Sequence, residues 1–233
     1  MKRFLTRIVV MSVMAAPLVL AVGVPAAHAS RTCPPDISNT TVNDSVFVPA
    51  GQSCTIQSST VTGNVYVSPG ATLLVLASKI NGSVNASRPN GVAFDCLAAP
   101  PNCTSVVIGG DVNIDGTTSI PAGLPINFMC ATQISGRLNI TNSGAGAQWS
   151  VGLCNPGPTP AVTIGGNVTL NQNHAMVTFD DNTANSSVTA SYNTGGGELA
   201  RNTIGGALTV LHNNPCWNVN TNTVAGASTV HCP

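Results

Sequence analysis

The side chains best suited to chemistry are two adjacent carboxylates, Asp180 and Asp181, with His174 six positions before them. Paired acids are the residue types that acid–base cleavage of a glycosidic bond uses, and an imidazole nearby could move a proton. Adjacent residues on a strand point to opposite faces, so the competing reading makes one of the pair a turn marker. Asp111 and Asp115 form a second acidic pair, with Asn113 between them. Alternate strand positions lie about 7 Å apart, too far for both to grip one calcium ion without oxygens from a loop. A solvated strand face is the simpler account. His212 and His231 have no evident metal partners, and we expect no metal and no cofactor. Trp149 and Trp217 have the rings to stack on a sugar or to fill a core. Gly109-Gly110, Gly165-Gly166 and Gly205-Gly206 are followed by no Lys-Ser/Thr and are not phosphate loops.

Eight cysteines complete the reactive inventory: Cys33, Cys54, Cys96, Cys103, Cys130, Cys154, Cys216 and Cys232. All follow a leader-like start. Met1 to Arg7 is cationic, Ile8 to Val24 is largely apolar, and Ala27-His28-Ala29 is a small-x-small cleavage site. That order predicts a signal peptide over residues 1–29, cut after Ala29, and a secreted mature chain. An even number of exported cysteines without Cys-x-x-Cys points to disulfides rather than zinc. Pairing in sequence order, Cys33–Cys54, Cys96–Cys103, Cys130–Cys154 and Cys216–Cys232, demands the least geometry among 105 schemes for eight cysteines.

Composition narrows the fold. Of the 233 residues only 7% are charged, against ~25% in an average soluble domain. Val, Thr, Asn and Gly replace the helix-formers Glu, Lys and Leu, so an all-β chain is expected. Beyond the leader the basic residues are Arg31, Lys79, Arg88, Arg137 and Arg201. These are too few and too scattered for nucleic-acid binding. No apolar run in the mature chain is long enough to span a bilayer.

One pattern recurs: apolar, any, Gly, any, apolar, any, apolar. Val61-Thr-Gly63-Asn-Val65-Tyr-Val67 and Ile164-Gly-Gly166-Asn-Val168-Thr-Leu170 are two copies. The copies start at Val42, Val61, Ile80, Ile108, Ile134, Ile164, Ala184, Ile204 and Val224, in steps of 19, 19, 28, 26, 30, 20, 20 and 20; those at Val42 and Ala184 are weaker, with Asp44 and Ser186 at the glycine position, and the last has Ser228 at an apolar one. We read each copy as one half-buried strand and each step as one turn of a solenoid. The predicted fold is therefore all-β: a single-domain right-handed parallel β-helix of about nine coils, with the hand taken from the crossover rule. Residues 30–233 form the domain, with 30–41 as an N-terminal cap and 42–232 as coils. The three long steps hold loop insertions at roughly Arg88–Thr104, Gly116–Thr132 and Ser143–Thr159, expected to project from one coil edge. Aligned copies predict three inward aliphatic columns and one outward column: Phe47, Tyr66, Asn85, Asn113, Asn139, Thr169, Thr189, Thr209 and Thr229. Asp111 should lie over Arg137 as a surface ion pair.

The Ile-x-Gly-x-Val-x-Val coils and the ending Asn222-Thr223-Val224-Ala225-Gly226…Cys232 resemble small exported proteins of actinobacteria. More broadly the coils resemble the right-handed parallel β-helix class that includes pectin lyases and polygalacturonases. That resemblance implies a fold and not an activity. Asp180-Asp181 is similar to the paired Asp of polygalacturonases, but the Gly-His-Gly and Arg-Ile-Lys elements expected downstream are absent. The first expectation is a structural or binding β-solenoid at or near the bacterial cell surface, meeting an extracellular glycan or another surface protein. The alternative is a lyase or hydrolase of acidic polysaccharides acting through Asp180, Asp181 and His174. The third is a flat glycan- or ice-binding face along Thr169, Thr189, Thr209 and Thr229, because a regular hydroxyl ladder suits either surface.

Overall fold

A computed structural model describes residues 30–95, 104–124, 126–152 and 162–232. The expected leader (1–29), the Cys96–Cys103 loop and Cys154 lie outside them. The described residues form strands and no helix. Three parallel sheets run the length of a β-helix, and each coil visits them in the same order. Sheet 1 has nine strands, from Thr41–Val42 to Thr223–Val224. Sheet 2 has ten, from Arg31–Thr32 through Val46–Val48 to Ser228–His231. Sheet 3 has nine, from Ile37–Ser38 through Ser53–Gln57 to Asn218–Asn220. Residues 30–41 thus contribute the first strands of sheets 2 and 3.

The repeat gives this stacking because its aliphatic residues recur once per coil. In sheet 1, Val42 pairs with Val61, Ile134 with Ile164, and Ile204 with Val224. In sheet 2, Val168 pairs with Val188 and Leu170 with Ala190. Ile80, Ile108, Val112, Leu138 and Ile140 are all fully buried. Longer steps leave this register intact: Val84 pairs with Val112 across a step of 28 residues.

Each repeat copy proves to be two strands rather than one. The glycine sits at the corner between sheets 1 and 2, where successive backbones bond directly. Gly82 N–H donates to Gly63 O at 3.1 Å, and Gly110 N–H to Gly82 O at 2.9 Å. A Cβ on Gly82 would lie 2.6 Å from Gly63 O, closer than the backbone below tolerates. Close approach of backbones, not a positive φ, is what selects glycine here.

Sheet 3 carries no glycine motif. Its inner column pairs Ile56 with Val75, Val75 with Phe94, Phe94 with Met129, Val151 with Phe179, and Phe179 with Leu199. The neighbouring column contains Trp149 and Trp217, both buried. Trp217 packs over Gly197, where an added Cβ would overlap the indole. Both tryptophans therefore fill the interior, and neither offers a ring to a sugar.

Asn side chains close two of the three corners. Between sheets 2 and 3, Asn193 Oδ1 accepts the backbone N–H of Asn173, while Asn193 Nδ2 donates to Leu170 O and Asn213 Oδ1. Between sheets 3 and 1, Asn202 does the same with Asn182 N–H, Phe179 O and Asn222 Oδ1. Ser59 and Ser78 occupy that second corner in earlier coils: Ser59 Oγ accepts Thr40 N–H, and Ser78 Oγ accepts Ser59 N–H. Buried backbone groups that a strand ladder cannot reach are satisfied in this way.

Two disulfides are described. Cys33–Cys54 ties the first strands together with Cα atoms 5.5 Å apart, and Cys216–Cys232 ties the last coil with Cα atoms 5.3 Å apart. Cys130 is also disulfide-bonded. The insertions do not share one edge. Those after Asp95 and Gly152 fall between sheets 3 and 1, whereas that after Asp115 falls between sheets 2 and 3. Pro121 of the second insertion is buried against Gly91.

Candidate functional site

Asp180, Asp181 and His174 are not assembled into one site. Asp180 ends the sheet 3 strand Val177–Asp180 and is 2% exposed. Asp181 turns the next corner with φ 57°. Arg201, one coil later, takes both carboxylates: its Nη2 bonds Asp180 Oδ2, and its Nε donates to Asp181 Oδ1 at 3.0 Å. Burial raises the Asp180 pKa above its ordinary 3.8, and Arg201 opposes the rise. Asp180 Oδ1 is buried and has no hydrogen-bond partner. His174 lies three residues before that strand, in the corner leading into it, exposed, with Nδ1 2.7 Å from Thr194 Oγ1. A sheet 3 strand separates the imidazole from the acids, so a single proton relay cannot include all three. What Arg201 and the two acids do is brace the corner between coils.

Asp111 and Asp115 are likewise engaged with the coil above. Asp111 Oδ1 accepts the backbone N–H of Arg137 at 2.7 Å. The expected pairing with Arg137 is thus made through its amide rather than its guanidinium. Asp115 Oδ1 accepts from Thr141 Oγ1 at 2.9 Å and from Asn142 Nδ2. Among the described residues no group of three His, Cys, Asp or Glu side chains is placed to hold a metal ion. Nor is any helix there long and apolar enough to cross a membrane.

The outward column of sheet 2 is the most regular surface. Phe47, Tyr66, Asn85, Asn113, Asn139, Thr169, Thr189, Thr209 and Thr229 are consecutive register partners. Parallel strands stand about 4.8 Å apart, so the column is a straight line of side chains at that pitch. Its chemistry changes along the line. Phe47 and Tyr66 are 39% and 42% exposed. Asn139 Nδ2 donates to Asn113 Oδ1 at 2.7 Å, and Asn113 Nδ2 to Asn85 Oδ1 at 2.9 Å. The threonines follow, half-buried except for the exposed Thr229.

At the corner between sheets 2 and 3, Tyr192 and His212 stack with ring centroids 4.9 Å apart and planes 17° apart. The stack follows from two coils placing rings at the same left-handed corner position (φ 55° for both). Sequence periodicity carried a signal for this corner and for its Asn ladder, since Asn173, Asn193 and Asn213 recur every 20 residues, as do Asn182, Asn202 and Asn222.

No protein-family model, no curated protein and no solved structure matches the chain.

Proposed function

We propose that the chain is an exported, non-enzymatic β-solenoid that works outside the cell, at or near the bacterial surface, as a structural or binding module. The observation that carries this reading is the outward column of sheet 2, in register through nine coils from Phe47 to Thr229. A straight, low-charge ladder of aromatic, amide and hydroxyl groups suits contact with an extended polymer or a repetitive surface. Disulfides at both ends of the coil stack fit an oxidising compartment. The acids that the enzymatic alternative needs are engaged with Arg201, which supports a bracing role for them.

The test is a co-sedimentation panel. The oxidised protein is mixed with cell-wall material, cellulose, chitin, xylan and calcium polygalacturonate. Bound protein and newly formed reducing or unsaturated ends are measured together. Retention on at least one polymer with no release of ends is the expected result. Catalytic release of ends from any polymer would overturn the reading, and retention on none would reject its binding half.

A further inference from the structure

We infer that the aromatic end of the sheet 2 column is a binding site for a neutral oligosaccharide chain, built from Phe47, Tyr66, Asn85 and Asp115. The inference rests on the binding reading above and gives it a site and a ligand class.

Geometry comes first. Phe47 and Tyr66 are register partners on adjacent coils. They are among the few large apolar side chains left exposed among the described residues. Next to them lies a groove of about 340 Å³ lined by Tyr66, Pro69, Asn85, Ser87, Asn113 and Asp115. Asn64 Nδ2 donates to the Tyr66 hydroxyl at 3.0 Å, which favours one placement of the ring before any ligand arrives. A ring held in place in advance loses little freedom on binding.

Polarity comes second. The amide ladder has a direction: each Nδ2 donates toward the N-terminal coil, from Asn139 to Asn113 to Asn85. The last amide, Asn85 Nδ2, has no bonded acceptor among the described residues and stands over the coil that carries Tyr66. Amides linked in a chain polarise one another, so the terminal donor is the strongest of the three. On the groove's other wall, Thr141 and Asn142 occupy Asp115 Oδ1, leaving Oδ2 for an incoming hydroxyl.

A ring face, a free amide donor and a free carboxylate oxygen match what a pyranose presents: a C–H face and alternating hydroxyl donors and acceptors. Aromatic rings are suited to such amphipathic contact. Asp115 disfavours an anionic sugar, because a second carboxylate there would meet a like charge. The ligand is therefore a neutral glycan lying along the solenoid axis, one sugar ring over each aromatic.

The experiment is isothermal titration of the oxidised protein with hexasaccharides of cellulose, chitin, xylan and mannan. Polygalacturonate oligomers serve as the acidic comparison. Wild type, Phe47→Ala, Tyr66→Ala, Asn85→Asp and the sheet 1 control Thr203→Tyr are compared. Circular dichroism and Tm check that each is folded. We expect binding of a neutral hexasaccharide, at least tenfold weaker in Phe47→Ala, Tyr66→Ala and Asn85→Asp, and unchanged in Thr203→Tyr. If wild type binds a neutral glycan and the three variants bind equally well, this site is wrong while the binding reading stands. If wild type binds neither these glycans nor any polymer in the sedimentation panel, the binding reading fails and takes the site with it. Preferential binding of the acidic oligomer rejects the ligand class. Sedimentation showing wild type as a dimer and Tyr66→Ala as a monomer would instead assign the aromatic pair to contact between copies, and also refutes the inference.

Discussion

Replacing Asn202 by alanine tests the corner ladder at a position where every lost bond is known. Asn202 is 1% exposed. Its Oδ1 accepts the buried Asn182 N–H at 2.9 Å, and its Nδ2 donates to Phe179 O at 2.8 Å and to Asn222 Oδ1 at 2.9 Å. Alanine leaves the Asn182 amide buried with no acceptor. Asn222 Oδ1 keeps the backbone N–H of residue 202, at 3.0 Å. One orphaned buried donor costs about 1–3 kcal/mol. With the lost donations and the small void, the total should be about 3 kcal/mol, a Tm fall of roughly 6–12 °C for a chain of this size. Asn202→Ser should recover part of the loss, because Ser59 and Ser78 already accept the corresponding N–H with a hydroxyl and donate to the carbonyls two residues earlier, Gln57 O and Leu76 O, at 2.7 Å. Urea unfolding of the oxidised protein followed by circular dichroism, with amide hydrogen exchange at Asn182, reads both effects. A loss under 0.5 kcal/mol, or unchanged protection of the Asn182 amide, would refute the claim that side-chain amides hold the corners.

Three further outcomes follow from single contacts. Gly82→Ala places a methyl against Gly63 O and should destabilise by about 2 kcal/mol, whereas Ala at exposed Gly51, where a Cβ meets nothing, costs only the strain of its φ of 70°; thermal melts of both variants check the contrast. Gly197→Ala drives a methyl into the Trp217 indole and should lower Tm, and Trp217→Leu in the same chain should relieve the clash, so that a double-mutant cycle shows less destabilisation than the sum. Asp180 has a folded pKa raised mainly by burial, so the folded state holds its proton more tightly than the unfolded chain. That contribution is full below the ordinary 3.8, is lost as pH rises through the raised value, and should vanish from the urea-midpoint profile of Asp180→Asn.

Sheets 1 and 2 were legible in the sequence because two constraints coincide at the glycine corner. The backbones approach closely there, so glycine holds the position in every coil but those of Asp44 and Ser186, and aliphatic residues such as Ile108 and Val112 flank it once per coil. Sheet 3 left no such trace. Its inner column mixes Ile56, Phe94, Met129 and Leu199, and in the neighbouring column large and small residues compensate along the stack, with Gly197 under Trp217 the extreme case. The repeat reads as one strand because its alternation continues across the corner: Ile164 and Val168 both point inward although they belong to different sheets. The Asn ladders are not legible from polarity alone, since Asn173, Asn193, Asn202 and Asn213 are buried where a polar side chain ordinarily marks an outward position. Asp180 and His174 are close in sequence but separated in space by an extended strand, which proximity along the chain does not reveal. The outward column was visible from the start, yet its direction, with Asn85 as the free donor end, depends on side-chain bonds that no alignment of copies supplies.

Nuclear Overhauser contacts between methyl groups one coil apart test the architecture most directly. In a sample labelled at valine and leucine methyls, cross-peaks should join Val168 to Val188 and Val65 to Val84, which pair in adjacent coils. No cross-peak should join Val168 to Leu208, which pairs with Val188 one coil further on. Absence of the Val168–Val188 contact, with both methyls assigned, would contradict the stacked coils on which every site described above depends.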